Sequence, residues 1–136
     1  MQLGAVYPYL NLVSRLRTEI TEGPSGTVGD LNGNEFSYAP DLSAGIGFNQ
    51  QFESGLFLGA RVNHVSDYYV DLANTESTTA GDYTILNLNA GYTVDELTVR
   101  AYIKNATDSD YVVRHKNDLV EMGGPRTFGI VADYQF

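Results

Sequence analysis

Three sets of side chains in this sequence invite a chemical reading. His64, Ser66 and Asp67 lie close together and are the residue types of a base, a nucleophile and an orienting acid. In an extended segment His64 and Ser66 share a face while Asp67 points away, which is poor geometry for a proton relay. That spacing supports an interfacial histidine, and no enzymatic activity is expected. Asp67, Asp71, Asp108, Asp110 and Asp118 could gather around a calcium ion with loop carbonyls, or stay separately solvated, the commoner state of acidic loops. Asn105-Ala106-Thr107 has the form of a glycosylation acceptor. Asn105 and Asp108 also stand where a strand would end, and their types favour side-chain-to-backbone bonds that hold a turn. Arg61, Arg100 and Lys104 form the third set, and their meaning depends on the face they occupy.

Composition narrows the classes. The chain has 136 residues, room for one ordinary domain, with 17 acidic and 8 basic residues and a net charge of −9. That balance argues against nucleic acid as a partner. There is no cysteine, so no disulfide framework or thiolate metal site exists, and no cofactor is expected. Ten Tyr, six Phe and fourteen Gly favour strands and turns over helices. The opening residues carry no basic and apolar leader pattern, so the expectation is a mature product or a piece of something larger.

Those side chains must be positioned by strands, because period-two alternation recurs along the chain. The last strand is expected over 128–136. Phe128, Ile130, Ala132, Tyr134 and Phe136 line one apolar face, against Gly129, Val131, Asp133 and Gln135 on the other. Residues 41–52 put Leu42, Ala44, Ile46 and Phe48 opposite Ser43, Gly45, Gly47 and Asn49. Residues 56–69 put Leu56, Leu58, Ala60 and Val62 opposite Gly59, Arg61 and Asn63. Strands over 83–94 and 97–104 alternate likewise, with Arg100 and Lys104 on the polar side of the second. Residues 3–20 are the least regular: Leu10, Leu12 and Leu16 share one parity, Tyr7, Tyr9 and Val13 the other, and Pro8 cannot donate to a ladder. A bulge or an edge position would reconcile them.

The connections alternate in length. Glu53-Ser54-Gly55 and Asp95-Glu96 are tight turns, whereas 21–37, 72–82 and 108–125 are long and polar. Short turns at one end and long loops at the other, with an apolar face opposite a Gly- and Asn-rich one, is the pattern of an outer-membrane barrel. The fold class expected is therefore all-β, an antiparallel meander of about six strands. Single-chain membrane barrels begin at about 8 strands. Two open edges in lipid would leave backbone groups unpaired at several kcal/mol each. These strands are thus expected to belong to a larger transmembrane barrel. The alternative is a small soluble or oligomeric β protein whose loops bind a ligand.

Four segments in order carry a resemblance to the C-terminal portion of TonB-dependent outer-membrane receptors. They are residues 31–44 (LNGNEFSYAPDLSA), residues 66–71 (SDYYVD) with Asn74 and 83–92 (YTILNLNAGY), residues 97–111 (LTVRAYIKNATDSDY), and residues 124–128 (GPRTF) with the terminal strand. The likeness covers nearly everything after about residue 30, and the four together are more specific than any one. Thr107 stands where the family usually has an aromatic, and Gly123-Gly124-Pro125 replaces a more usual double proline.

The resemblance implies the last six strands of a barrel of about 22, in the bacterial outer membrane, with lipid, the remaining barrel strands and a plug domain as partners. Over residues 1–136 no plug domain is expected. The parent would import a siderophore, cobalamin or a carbohydrate, and this portion alone would not transport. The barrel-assembly machinery would read Phe128, Ile130, Ala132, Tyr134 and Phe136. Arg61, Arg100 and Lys104 would face the lumen, lining a solute path or pairing with plug carboxylates.

Overall fold

Period-two alternation across short turns folds as a meander. The computed structural model describes residues 5–14, 31, 33–116 and 119–136. Its main element is a six-stranded antiparallel sheet of β1 (Val6–Ser14), β2 (Leu42–Gln51), β3 (Leu56–Val65), β6 (Tyr83–Val94), β7 (Leu97–Lys104) and β10 (Thr127–Tyr134), in that spatial order. Two small sheets lie between these strands. One pairs β4 (Tyr68–Tyr69) with β5 (Thr79–Ala80), the other β8 (Val112–Lys116) with β9 (Leu119–Met122). A 3₁₀ turn over Glu76–Thr78 is the only helix among the described residues.

Four of the expected main strands agree with this closely, and the differences have local causes. The third ends at Val65 rather than Tyr69. Ser66 closes its ladder, its amide donating to the Leu42 carbonyl at 2.9 Å and its hydroxyl accepting from the Leu42 amide at 3.1 Å. Tyr68 and Tyr69 then pair in a separate sheet. The long connections over 72–82 and 108–125 contain strands of their own, as long loops in compact domains commonly do. The terminal strand stops at Tyr134, and Phe136 lies beyond it. Residues 3–4, 15–20 (with Leu16), 21–30 and 32 of the expected elements, and Asp118, lie outside the described residues.

The irregular parity of the first strand needs no bulge. β1 pairs with β2 in unbroken register from Val6↔Gln50 to Ser14↔Leu42, and it is the edge of the sheet among the described residues. Leu10 and Leu12 lie opposite Ile46 and Ala44, while Tyr7 and Tyr9 lie opposite Asn49 and Gly47. The polar face accepts Tyr9 because Gly47 leaves room for its ring.

The sheet is a single layer. Buried apolar residues among those described are Leu31, Ala80 and Ile85, and no large side chain is fully enclosed. Apolar side chains that a soluble sheet would cover stand open: Leu10 is 73% exposed, Ile46 60%, Ile130 77% and Phe128 80%. A contiguous apolar face of this extent marks contact with lipid or with another protein surface.

Candidate functional site

The register sorts every strand onto two faces. On one face Pro8, Phe48, Ala60, Leu88, Ile103 and Phe128 form a single row across six strands, and Leu58, Ala90, Ala101 and Ile130 form the next. On the other face one row reads Tyr7, Asn49, Gly59, Asn89, Tyr102 and Gly129. A neighbouring row there reads Phe57, Gly91, Arg100 and Val131.

Aromatic rings on the polar face lie over glycines on paired strands. Tyr9 covers Gly47, Phe57 covers Gly91 and Tyr102 covers Gly129, and a Cβ at any of the three glycines would collide with the ring. Such aromatic–glycine pairs pin register and shield backbone the glycine leaves bare.

Charge follows the same sorting. The six main strands contain three cations, Arg61, Arg100 and Lys104, all on the polar face, and one acid, Asp133, on that face too. Arg61 lies over the Tyr9 ring, its Cζ 5.3 Å from the centroid, and its Nε donates to Asn63 Oδ1 at 2.9 Å. Lys104 lies over the Tyr102 ring at 5.6 Å. Arg100, Lys104, Tyr102, Phe57, Asn49 and Asn89 enclose a concavity of about 590 Å³ on this face. The structure thus brings Arg100 and Lys104 to one concavity, with Arg61 displaced along the same face.

Phe128, Ile130, Ala132 and Tyr134 all lie on the apolar face of β10, which pairs with β7 along one side from Thr127↔Lys104 to Tyr134↔Leu97. Phe136 shares their parity beyond the strand end and is fully exposed. Among the described residues the other side of β10 has no partner strand.

The long-loop end of the sheet is tied together by side chains from distant segments. Asn74 Oδ1 accepts from the Glu35 amide at 2.6 Å, and its Nδ2 donates to the Glu35 carbonyl at 3.0 Å. Tyr68 Oη donates to the Val113 carbonyl at 2.9 Å, and the Gly81 amide to the Val112 carbonyl at 3.0 Å. Burial, with Tyr83 and Tyr38 nearby, raises the Tyr68 pKa above its ordinary value, so the phenol keeps the proton it donates. The Tyr83 and Tyr111 rings pack against each other tilted by 37°, 4.3 Å between centroids.

Asn105 and Asp108 do hold the strand end. Asn105 is almost wholly buried, its Nδ2 donating to the carbonyls of Ser109 and Gly124 and its Oδ1 accepting from the Ser109 amide. Asp108 accepts from the Arg126 amide at 3.1 Å and pairs with its guanidinium at 3.2 Å. Thr107 joins this turn through a 2.9 Å contact with the Ser109 hydroxyl. Two segments quoted separately from the sequence, 97–111 and 124–128, therefore meet in space. Asn105 and Asp108 in the first and Arg126 in the second were visible, but not that they touch.

The other chemical readings separate. His64 Nδ1 lies 3.0 Å from Thr84 Oγ1, while the Ser66 hydroxyl accepts from the Leu42 amide and donates to the Asp67 backbone carbonyl, so no relay is assembled. Asp71 and Asp108 serve local hydrogen bonds, and among the described residues no group of acidic or imidazole side chains could hold a metal ion. In Asp71 burial opposes the charge. Hydrogen bonds from Thr78 and Thr75 outweigh it and lower the pKa below the ordinary value.

Comparison with known proteins places this geometry. A family model described as TonB dependent receptor-like, beta-barrel matches residues 2–106. No curated protein matches. Among the solved chains that match is the crystal structure of BauA, the ferric preacinetobactin receptor from Acinetobacter baumannii, at 27% identity and a TM-score of 0.69. The match covers 87% of this chain and 18% of that one, so the chain spans under a fifth of BauA's length.

Proposed function

This chain belongs to the TonB-dependent receptor family, as part of its β-barrel, and on that premise we propose that it forms the C-terminal wall of a receptor that imports a solute across the bacterial outer membrane. Members of the family are outer-membrane transporters rather than enzymes. The single observation that carries the reading is the sorting of the sheet into an open apolar face and a Gly-, Asn- and cation-bearing one. The first meets lipid and the second an aqueous lumen. Exposure of this apolar surface weighs against the alternative, a soluble β protein with ligand-binding loops.

Arg61, Arg100 and Lys104 face that lumen in this reading. The barrel closes with further strands, to about 22 in all, and encloses a plug domain. The six strands alone transport nothing, since a lumen requires closure. The assembly machinery reads Phe128, Ile130, Ala132, Tyr134 and Phe136 on the terminal strand. Siderophore, cobalamin and carbohydrate are the solute classes considered, and the likeness to a ferric preacinetobactin receptor favours a siderophore.

The test is the mass of the folded species in mild detergent and in plain buffer. A complex with other strands, seen only in detergent, is expected. A stable, cooperatively unfolding monomer in buffer would overturn the proposal.

A further inference from the structure

The outer edge of β1 has a gap in its row of donors. The Gln51 amide donates to the Ala5 carbonyl at 3.1 Å, and from Val6↔Gln50 onward the β1–β2 register is unbroken. Bonded and non-bonded pairs alternate along an antiparallel ladder. Tyr7, Tyr9, Asn11 and Val13 therefore direct their backbone groups at β2, while Val6, Pro8, Leu10 and Leu12 direct theirs away from it. The next ladder agrees, since the even-numbered Leu42 of β2 accepts from the Ser66 amide on the β3 side. Among the described residues no strand pairs with the outward edge of β1.

Proline has no amide hydrogen, so Pro8 leaves the outward place between Val6 and Leu10 without a donor. Within sheets such a proline is confined to an edge strand, to the first residue of a strand, or to a bulge. Pro8 is the third residue of β1. In the barrel wall proposed above β1 is no edge, because lipid leaves no sheet edge open. The match takes in 18% of the BauA chain, and a wall of that size has a further strand to flank β1. The surroundings offer no substitute donor. Pro8, Leu10, Ile46, Phe48, Ala60 and Val62 border an apolar hollow of about 510 Å³ on the lipid-side face, and a water needs polar partners to stay in such a place. Nor does β1 itself give way: its ladder to β2 is regular, and the Tyr9 ring beside Pro8 rests on Gly47 and lies under Arg61.

We propose that the strand flanking β1 carries a β-bulge opposite Pro8, and that Pro8 thereby fixes the register of this join. An extra residue on the flanking strand interrupts the ladder and leaves one residue unpaired, so the interruption coincides with the missing donor. Sliding that strand by two residues would set the bulge against Leu10, whose amide would lose its acceptor, and a regular carbonyl against Pro8. The partner that fits this edge is an antiparallel strand, apolar on the lipid side, regular opposite Val6, Leu10 and Leu12 and irregular at one place between them.

This inference rests on the barrel-wall reading, and the experiment separates the two. Pro8→Ala adds a single amide at the gap. The variant receptor is taken in lipid bilayers with every chain that completes the wall. Solid-state NMR on isotope-labelled protein reads whether each outward amide proton lies at hydrogen-bond distance from a carbonyl of another strand, whatever the access of water. Tyr7, Tyr9 and Asn11, bonded to β2, are the internal controls. Contacts are expected at Val6, Leu10 and Leu12 and none at the introduced amide, with no rise in the denaturant midpoint. A contact at the introduced amide, or a raised midpoint, would mean that a regular carbonyl faces Pro8 and would overturn the bulge while leaving the wall intact. Loss of the contact at Val6 as well would mean that the flanking strand ends short of Pro8, and would overturn the bulge too. No contact at Val6, Leu10 or Leu12, with the controls bonded, would mean that nothing flanks β1 and would sink the wall reading itself.

Discussion

Asn105 satisfies three backbone groups while sitting at a positive φ of 49°, a conformation asparagine tolerates better than most residues. Asn105→Ala would leave those groups unpaired in a nearly buried site, at a cost of about 1–3 kcal/mol. We expect earlier protease cleavage after Arg126 in that variant. Arg126→Ala removes only a half-exposed ion pair and should cost under about 1 kcal/mol. A second residue-scale prediction concerns pH. The folded-state pKa of Asp71 is depressed, so its contribution is fully present above the unfolded value of about 3.9 and is lost as pH falls through the lower folded value. Amide exchange at Thr75 and Thr78 should therefore accelerate in acid below the ordinary carboxylate range. Asp71→Asn should show fast exchange at every pH, and protection unchanged by that substitution would refute the assignment.

At the scale of elements, the aromatic–glycine pairs hold neighbouring strands in register. Gly91→Ala places a Cβ against the Phe57 ring, Gly129→Ala against Tyr102, and each should cost about 1–3 kcal/mol by forced displacement of a packed ring. Gly124→Ala meets nothing within 4 Å and should be nearly silent. Denaturant titration in detergent compares the three. Equal effects at all three positions would mean that ring contact is not what these glycines serve. The short turns act through different chemistry. Gly55 takes φ 90° at a place where Thr93 backbone fills the space of a side chain, and Asp95 takes φ 49° in a two-residue hairpin between Val94 and Leu97.

For the whole molecule the decisive property of the proposed barrel wall is that neighbouring side chains meet different media. Ile130 and Val131 lie at one height in β10 on opposite faces. Ile130→Lys should destabilise the lipid-embedded protein by about 2–4 kcal/mol if that row lies near the bilayer midplane. Val131→Lys, beside Arg100 in an aqueous lumen, should cost much less. Equilibrium unfolding in lipid vesicles distinguishes them, and equal penalties would contradict the two-sided arrangement. The tightest packing sits at the long-loop rim rather than in the sheet. Ala80 is buried there, and Asn105 is enclosed where β7 ends. Among the described residues nothing covers the apolar face of the six strands.

Strand positions, facing parity and the tight turns were legible in the order of residues, because each depends on neighbours one to four positions away. Leu97 to Lys104 shows this: its alternation alone puts Arg100 and Lys104 on one side. The small sheets β4–β5 and β8–β9 were less legible, since two- to five-residue strands carry too little alternation to stand out. Pairings that join residues far apart in the chain were decided only by tertiary structure. That Tyr9 rests on Gly47, that Asn105 reaches Gly124, and that Asn49 and Asn89 flank one glycine all depend on inter-strand register and on loop docking. Local alternation specifies which face a side chain takes, and register across the sheet specifies whom it meets there.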